Sequence, residues 1–381
     1  MQHRFEYALV GGGLQNALIA LAVHARRPGA RIAMIERGHA IGGNHTWCFH
    51  AGDLGAERAA WIDPLVTTRW AGYDVAFPDH ARRLDSPYAC VTSERLAEVV
   101  TGSLGREGSS LRLRTDAIEV HPDRVVVRTA AGVVEEIHAA IVIDARGPDR
   151  ASAEQCGWQK FVGQEVELEA PHGLDRPMLM DATVPQVDGF RFIYLLPFSP
   201  TRVLVEDTYF SDRAYLDVGN LRERIAEAIA ARGWRVARIV REEVGVLPLP
   251  LRAAAPSTEA PLAAGYGGGW FHPVTGYSFP IASRLAELVA ARPELYGAEL
   301  DAEARRHASQ QRFALQLNRM LFRWFAPAQR YRVLERFYRL PEAVIRRFYA
   351  LELTRMDRAR ILVGRPPRGL SIRAMFGGEA A

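Results

Sequence analysis

The first apolar run of the chain, Tyr7-Ala-Leu-Val10, leads straight into three glycines and then into an apolar stretch at helical spacing that begins at Leu14. A second apolar run, Arg31-Ile-Ala-Met-Ile-Glu36, ends on a carboxylate. Strand, glycine turn, helix and strand in this order predict a dinucleotide-binding βαβ unit. Gly11 permits the tight turn, and Gly13 lets backbone N–H groups at the start of the helix, from Leu14 on, approach a pyrophosphate. Glu36 stands where ribose hydroxyls would be held. The third glycine of the pattern is replaced by Asn16, followed by Ala17, so the helix must pack on the strand around a larger side chain.

Beyond residue 110 the pattern becomes short alternating strands, which lead to Ala140-Ile-Val-Ile-Asp-Ala-Arg-Gly147, a buried strand ending near Asp144. Residues 162–169, 178–183, 190–196 and 202–209 read as a second sheet, punctuated by Pro, Gly and Ser. An amphipathic helix over 221–232 stops at Gly233, and strands follow at 234–242 and 244–251. A glycine-rich turn over 265–278, which includes Gly276, precedes a helix that starts after Pro273 and runs to about residue 291. From about residue 298 the chain is nearly all helix. The predicted class is α/β: a Rossmann-like nucleotide-binding domain with an inserted, mostly antiparallel β-sheet substrate domain and a helical C-terminal region. The segments are 1–155 (nucleotide domain, with a small β insert), 156–252 (sheet), 253–295 (return to the nucleotide domain) and 296–381 (helical and basic).

Composition changes this picture in one place. Lys160 is the only lysine, and between Arg312 and Arg373 fifteen arginines face only Glu335, Glu342, Glu352 and Asp357, although the whole chain carries a net charge of +4. This tail also holds Phe322, Trp324, Phe325, Tyr331, Phe337, Tyr338, Phe348 and Tyr349, a combination that suggests peripheral docking on an anionic membrane surface. No apolar run approaches the roughly 20 residues of a membrane span. The early glycine turn leaves no room for a signal peptide. Cys48, Cys90 and Cys156 are far apart in sequence, without metal spacing, which points to a reducing, cytoplasmic compartment and to no bound metal. No nucleic-acid recognition motif is present.

The βαβ unit, the late strand ending at Asp144 and the glycine-rich turn at 265–278 together suggest FAD, with the helix after that turn directing its N-terminus at the flavin. Gly42-Gly-Asn-His-Thr-Trp47, Met180-Asp-Ala-Thr183, Val205-Glu-Asp-Thr208, His272-Pro-Val-Thr-Gly-Tyr-Ser278, Asn318-Arg-Met-Leu-Phe322 and Arg336-Phe-Tyr-Arg-Leu-Pro-Glu342 resemble segments of the bacterial lycopene β-cyclases, over essentially the whole length. The resemblance implies FAD in its reduced form, NADH or NADPH as reductant, lycopene as substrate and closure of β-ionone rings without net redox chemistry. A flavin-dependent hydroxylase or desaturase on the same scaffold is the alternative.

Ring closure needs an acid and negative charge in a dry cavity. Glu206 and Asp207 follow three apolar residues in a predicted strand, and alternation sends them to opposite faces. The resemblance favours Glu206 as the residue facing substrate; a carboxyl in an apolar cavity stays protonated and acts as an acid. Asp207 is the second candidate, with pairing to an arginine as its plain structural reading. His45 and His272 lie in loops placed near the cofactor, and Trp47, Phe271 and Tyr277 are candidate walls of a polyene channel.

Overall fold

A computed structural model describes residues 5–106, 108–147, 156–292, 294–364 and 369–370. Strand Phe5–Val10 is apolar on both faces, and its alternate side chains enter two different cores: Tyr7 and Leu9 join one, Phe5, Ala8 and Val10 the other. A strand buried on both sides belongs at the centre of a parallel sheet. It lies between Ile32–Ile35 and Val134–Asp144, both parallel to it. Ser110–Arg112 extends the sheet on one side; Leu262–Ala263 pairs parallel with Val134–Asp144, and the antiparallel strands Arg124–Thr129 and Thr115–Val120 complete it. Helix Leu14–Arg26 covers this sheet beside helix Phe279–Ala291, to which Gln15 Nε2 donates through the Ala282 carbonyl at 3.0 Å.

The second sheet runs in the order Val236–Pro250, Cys156–Leu168, Arg202–Ser211, Phe190–Pro197, Met178–Asp181, Tyr73–Phe77 and His80–Leu84. Its pairings are antiparallel except that between Met178–Asp181 and Tyr73–Phe77. Helix Val218–Ala231 seals one face, burying Leu221 and Ile225 against Val162, Val166, Ile193 and Val205. A small third sheet, Thr46–His50, Tyr88–Thr92 and Thr68–Trp70, pairs Cys48 directly opposite Cys90, so two cysteines remote in sequence become neighbours with free thiols.

Four expectations need correction. The substrate sheet takes two strands, Tyr73–Phe77 and His80–Leu84, from the segment assigned whole to the nucleotide domain, so 155/156 is not a clean boundary. The two strands expected at 234–242 and 244–251 form one long edge strand, Val236–Pro250. The helix expected after Pro273 begins at Phe279, because Gly276, at φ +65°, turns the chain first and Pro280 suits the first helical turn. The basic tail does not present its aromatics to a lipid surface. After helix Ala298–Trp324, Phe325, Tyr338, Phe348 and Tyr349 are buried, and Phe322, Tyr331 and Phe337 pack against the core; Trp324 is half-buried. Several tail arginines are internal ties. Arg330 is 1% exposed, grips Asp212 at 2.7 and 2.9 Å and lies over the Phe322 ring; Arg347 forks onto Asp357. Arg365, Arg368 and Arg373 lie outside the described residues. Among the described residues no helix is long and apolar enough to cross a membrane.

Asn16 has a structural task at the replaced glycine position. Its buried amide donates to the carbonyls of Val10 and Gly11, both at 2.9 Å, and so closes the strand-to-helix turn from beneath. Asn16→Ala should cost about 1–3 kcal/mol by leaving these carbonyls without their donor. Urea denaturation measures it, and a change within about 0.5 kcal/mol would show that the two bonds contribute nothing net.

Candidate active site

The glycine turn closes on the end of the neighbouring strand. Gly11 sits at φ +93°, and a Cβ there would stand 3.1 Å from the Ala145 carbonyl oxygen. Gly13 is extended, a Cβ on it would meet nothing within 4 Å, and no side chain caps the helix beginning at Leu14. Backbone donors and open space therefore coincide at this helix start, as pyrophosphate binding requires. Glu36 accepts from Gly12 N at 2.7 Å and Gly38 N at 2.6 Å, which fixes its carboxylate at the mouth of the turn and leaves lone pairs for hydroxyl donors. Asp144 ends its strand forked to Arg146, and its carbonyl accepts from Ala264 N at 2.8 Å, stitching the glycine-rich segment to the sheet. Gly11, Gly13, Leu14, Glu36 and Asp144 thus gather at the C-terminal ends of the parallel strands, where ligands bind in such sheets.

His45 and Gly276 lie on the path from that end to the second sheet. The loop before His45 is tied to the turn by Gly42 N to the Gly12 carbonyl at 2.8 Å. The His45 ring is exposed, 5.8 Å from that of Trp47. Gly276 packs on the second sheet, where a Cβ would lie 3.1 Å from Gln159 Oε1. Asn318 Nδ2 clamps this loop by donating to the carbonyls of Pro273 at 2.6 Å and Pro250 at 3.0 Å. His272 is wholly buried edge-on to Phe348; burial pushes its pKa down to about 3, so it is a neutral packing residue. Phe271 is buried too, stacked on Tyr266.

The second sheet separates the two adjacent acids, as alternation requires. Asp207 faces the helix-covered side, where Arg191 forks onto it at 2.8 and 3.0 Å and the Tyr209 hydroxyl donates at 2.9 Å. Burial pushes this carboxyl up and Arg191 pulls it back; the two-point guanidinium fork keeps the pair ionised. The structure therefore does not bring Asp207 to the cavity, and its candidacy as a catalytic residue gives way to a structural ion pair.

Glu206 faces the other way. In register across four strands stand Glu243, Gly163, Glu206 and Tyr194, so all four positions share one face. Gly163 is the gap in this row: a Cβ there would press within 3.1 Å of Glu243 Cγ and 3.3 Å of Glu206 Cβ. Without it no side chain stands between the two acids, which pack on either side of the same glycine. The Thr208 hydroxyl donates to Glu206 at 2.5 Å. Burial, and next the charge of Glu243, hold the Glu206 carboxyl well above the usual carboxylate range. Arg202, the nearest arginine in sequence, pairs with Glu165 instead. Glu243 is 3% exposed and accepts from Thr46 Oγ1 at 3.0 Å and from Arg241 at 2.9 Å. Sequence reading missed it, although Glu242-Glu243 is a second adjacent acid pair in a strand. Its partner Glu242 turns outward to Arg222 and Gln164.

The small third sheet roofs this row. Cys48 and Tyr194, both half-buried, stand beside it, Tyr194 in register with Glu206. Tyr88 reaches Tyr194 with hydroxyls 3.4 Å apart, and Tyr73, Tyr88, Tyr277 and Tyr349 surround the ring of His50. Burial keeps these tyrosines and the Cys48 thiol protonated and lowers His50 to about 3. The side chains around the row are largely aromatic, an arrangement suited to a buried cation.

A parallel sheet with a glycine turn joined to a larger antiparallel sheet is a fold shared with several solved structures. These include a p-nitrophenol 4-monooxygenase from Pseudomonas putida (TM-score 0.65, 15% identity, 93% of this chain and 100% of that one). A flavin-dependent brominase also matches (TM-score 0.61, 15% identity, 94% and 97%). Within that class, the family described as lycopene cyclase protein matches residues 7–375, and the chain belongs to it. It is 44% identical over 374 residues to a lycopene beta-cyclase of Pantoea ananas, with 96% of each chain covered. It is 41% identical over 380 residues to one from a Paracoccus species, again with 96% of each covered.

One further carboxyl at the chamber titrates near neutrality. Burial pushes Asp53 up to about 7, although the Tyr277 hydroxyl donates to it at 3.2 Å. Because the folded value exceeds the unfolded one, Asp53 contributes stability that is complete below about pH 4 and lost as pH rises through about 7. Thermal melts from about pH 5 to about pH 8 should show a fall in Tm that Asp53→Asn flattens, a difference of about 2–3 kcal/mol. Parallel curves for the two proteins would remove Asp53 as the cause.

Proposed function

We propose that this chain closes β-ionone rings on the acyclic ends of lycopene, in a proton-initiated isomerisation without net electron transfer. The observation that carries this reading is Glu206: a buried carboxyl, held well above the usual carboxylate range by burial and the neighbouring Glu243, in register with Tyr194 on the face of the second sheet opposite Asp207. Adding a proton to a terminal alkene creates a tertiary cation, the internal double bond attacks it, and loss of a neighbouring proton leaves the ring alkene. Glu206 holds the proton that starts this sequence. Tyr88 and Tyr194 exclude water and offer electron-rich faces to the cation. A unit negative charge about 4 Å from the cation, at an effective dielectric near 20, is worth roughly 4 kcal/mol, or about a thousandfold in rate.

FAD fits the residues at the other end. The uncapped helix start at Leu14, the open space over Gly13 and the free lone pairs of Glu36 suit its pyrophosphate and ribose. Bound and reduced, it supplies further negative charge near the chamber. NADH or NADPH serves only to keep it reduced. Lycopene is a hydrocarbon, so the enzyme meets it at a lipid surface. Since the tail aromatics pack inward, one candidate contact is helix Arg355–Leu362 with the residue that follows it, where Met356, Leu362 and Val363 are exposed among arginines.

Anaerobic incubation with lycopene in anionic liposomes, chemically reduced FAD and D₂O should give deuterated β-rings over many turnovers without nicotinamide. Glu206→Gln should lower the rate at least about a hundredfold with the fold intact, whereas Asp207→Asn should cost about 3–5 kcal/mol of stability. Stoichiometric nicotinamide consumption, or full activity in Glu206→Gln, would overturn the reading. Gly13→Val should fold normally, since its side chain enters open space, and yet lose flavin. Full retention of flavin in that variant would exclude this turn as the binding site.

A further inference from the structure

The row Glu243–Gly163–Glu206 contains more than an isolated acid. We propose that Glu206 and Glu243 form a carboxyl–carboxylate pair that shares one proton across the gap at Gly163, with Glu243 as the positioning residue that keeps the proton on Glu206. The inference rests on the functional reading above only for what the proton is used for; the pair itself stands on geometry.

Three observations carry it. First, the two acids occupy positions paired to either side of one glycine, and a Cβ on it would lie 3.1 Å from Glu243 Cγ and 3.3 Å from both Cβ and Cγ of Glu206, so the two side chains converge over that gap. Second, their surroundings are unequal. Glu243 accepts from the Thr46 hydroxyl at 3.0 Å and from the Arg241 guanidinium, a cation, at 2.9 Å. Among the described residues Glu206 accepts from the neutral Thr208 hydroxyl and forms no salt bridge. The shared proton therefore resides on Glu206, and the pair carries one negative charge, fixed on the Arg241 side. Third, Arg241 is itself held in place, by Asn44 Oδ1 at 2.9 Å, Thr46 Oγ1 at 2.6 Å and Glu165 at 3.3 Å. An open groove of about 600 Å³, lined by Glu165, Arg202 and Arg241 among others, gives this end access to solvent.

Other titratable groups face the pair. His45 and Cys48 approach from the roofing sheet, Tyr194 from the strand beyond Glu206, and Glu94 stands 3.8 Å from Arg241. Cys48 and Tyr194 stay neutral through burial, so neither supplies a charge that replaces that of Glu243. Two carboxyls this close cannot both ionise cheaply, and the proton of one is retained by the charge of the other. Glu243 thus makes Glu206 a proton reservoir across the neutral range, and Arg241 keeps the negative charge beside the site where a cation forms.

Infrared spectroscopy of the purified full-length protein tests this without substrate. The wild type should show a protonated-carboxyl band at neutral pH that is absent from Glu206→Gln, which also separates it from Asp53. In Glu243→Gln the midpoint of that band should fall by at least about one pH unit, because the neighbouring negative charge is gone. The alkaline limb of the pH–rate profile for cyclisation should move down with it. Gly163→Ala, which wedges a carbon between the acids, should shift the band the same way and serves as the second probe if Glu243→Gln does not fold. An unchanged midpoint in these variants, or no Glu206 band in the wild type, overturns the pair. A shifted band with an unmoved rate profile overturns the positioning role. A shifted band in a protein that forms no β-rings instead leaves the pair standing and overturns the functional reading.

Discussion

A carboxyl group moved from water into a closed aromatic space must give up its charge or find a partner for it. That constraint organises this protein. Glu206 has no cation within reach and a second acid beside it, so it stays protonated; Asp207, one residue on, has Arg191 and stays ionised. The same alternation recurs on the edge strand, where Glu243 turns inward and Glu242 outward. Each strand sends one acid to the chamber and one to an arginine, and the pleat, with its period of two, makes this possible.

The chamber depends on parts of the chain that look unrelated to it. The small sheet that roofs the acids lies between the second and third strands of the nucleotide-binding unit in sequence, and its Thr46 fixes Glu243. Asn318, on the long C-terminal helix, pins the 272–278 loop that lies between the two sheets. Tyr338, Phe348 and Tyr349, further along, fill the back of the aromatic cluster around His50 and His272. The basic tail is a structural wall of the site. Some of its arginines tie segments together internally, as Arg330 does with Asp212 and Arg347 with Asp357.

Much of this was legible from local pattern. The glycine turn, its helix and the acid at Glu36 follow from residue types at short spacing, because the turn's φ > 0 and the helix start impose demands on nearby residues only. Strand alternation alone separated Glu206 from Asp207. The tail was misjudged because an amphipathic, arginine-rich helix has the same pattern whether its apolar face meets lipid or the protein's own core. The expected chain order of domains failed at residues 73–84 for a similar reason: a short hairpin carries no signal of which sheet it will join.

The sequence by itself determined the nucleotide-binding unit, the two-sheet α/β class and the placement of Glu206 and Asp207 on opposite faces, since each rests on backbone periodicity and local turn chemistry; which of the two acids faces inward came from the resemblance and from the structure. Only the tertiary structure decided that Glu243 stands beside Glu206, that Cys48 meets Cys90, and that the tail closes the chamber. These depend on strand register and on which face covers which. Such long-range pairings arise from the total burial of apolar surface and from gaps such as Gly163, whose meaning appears only once its two neighbouring strands are in place.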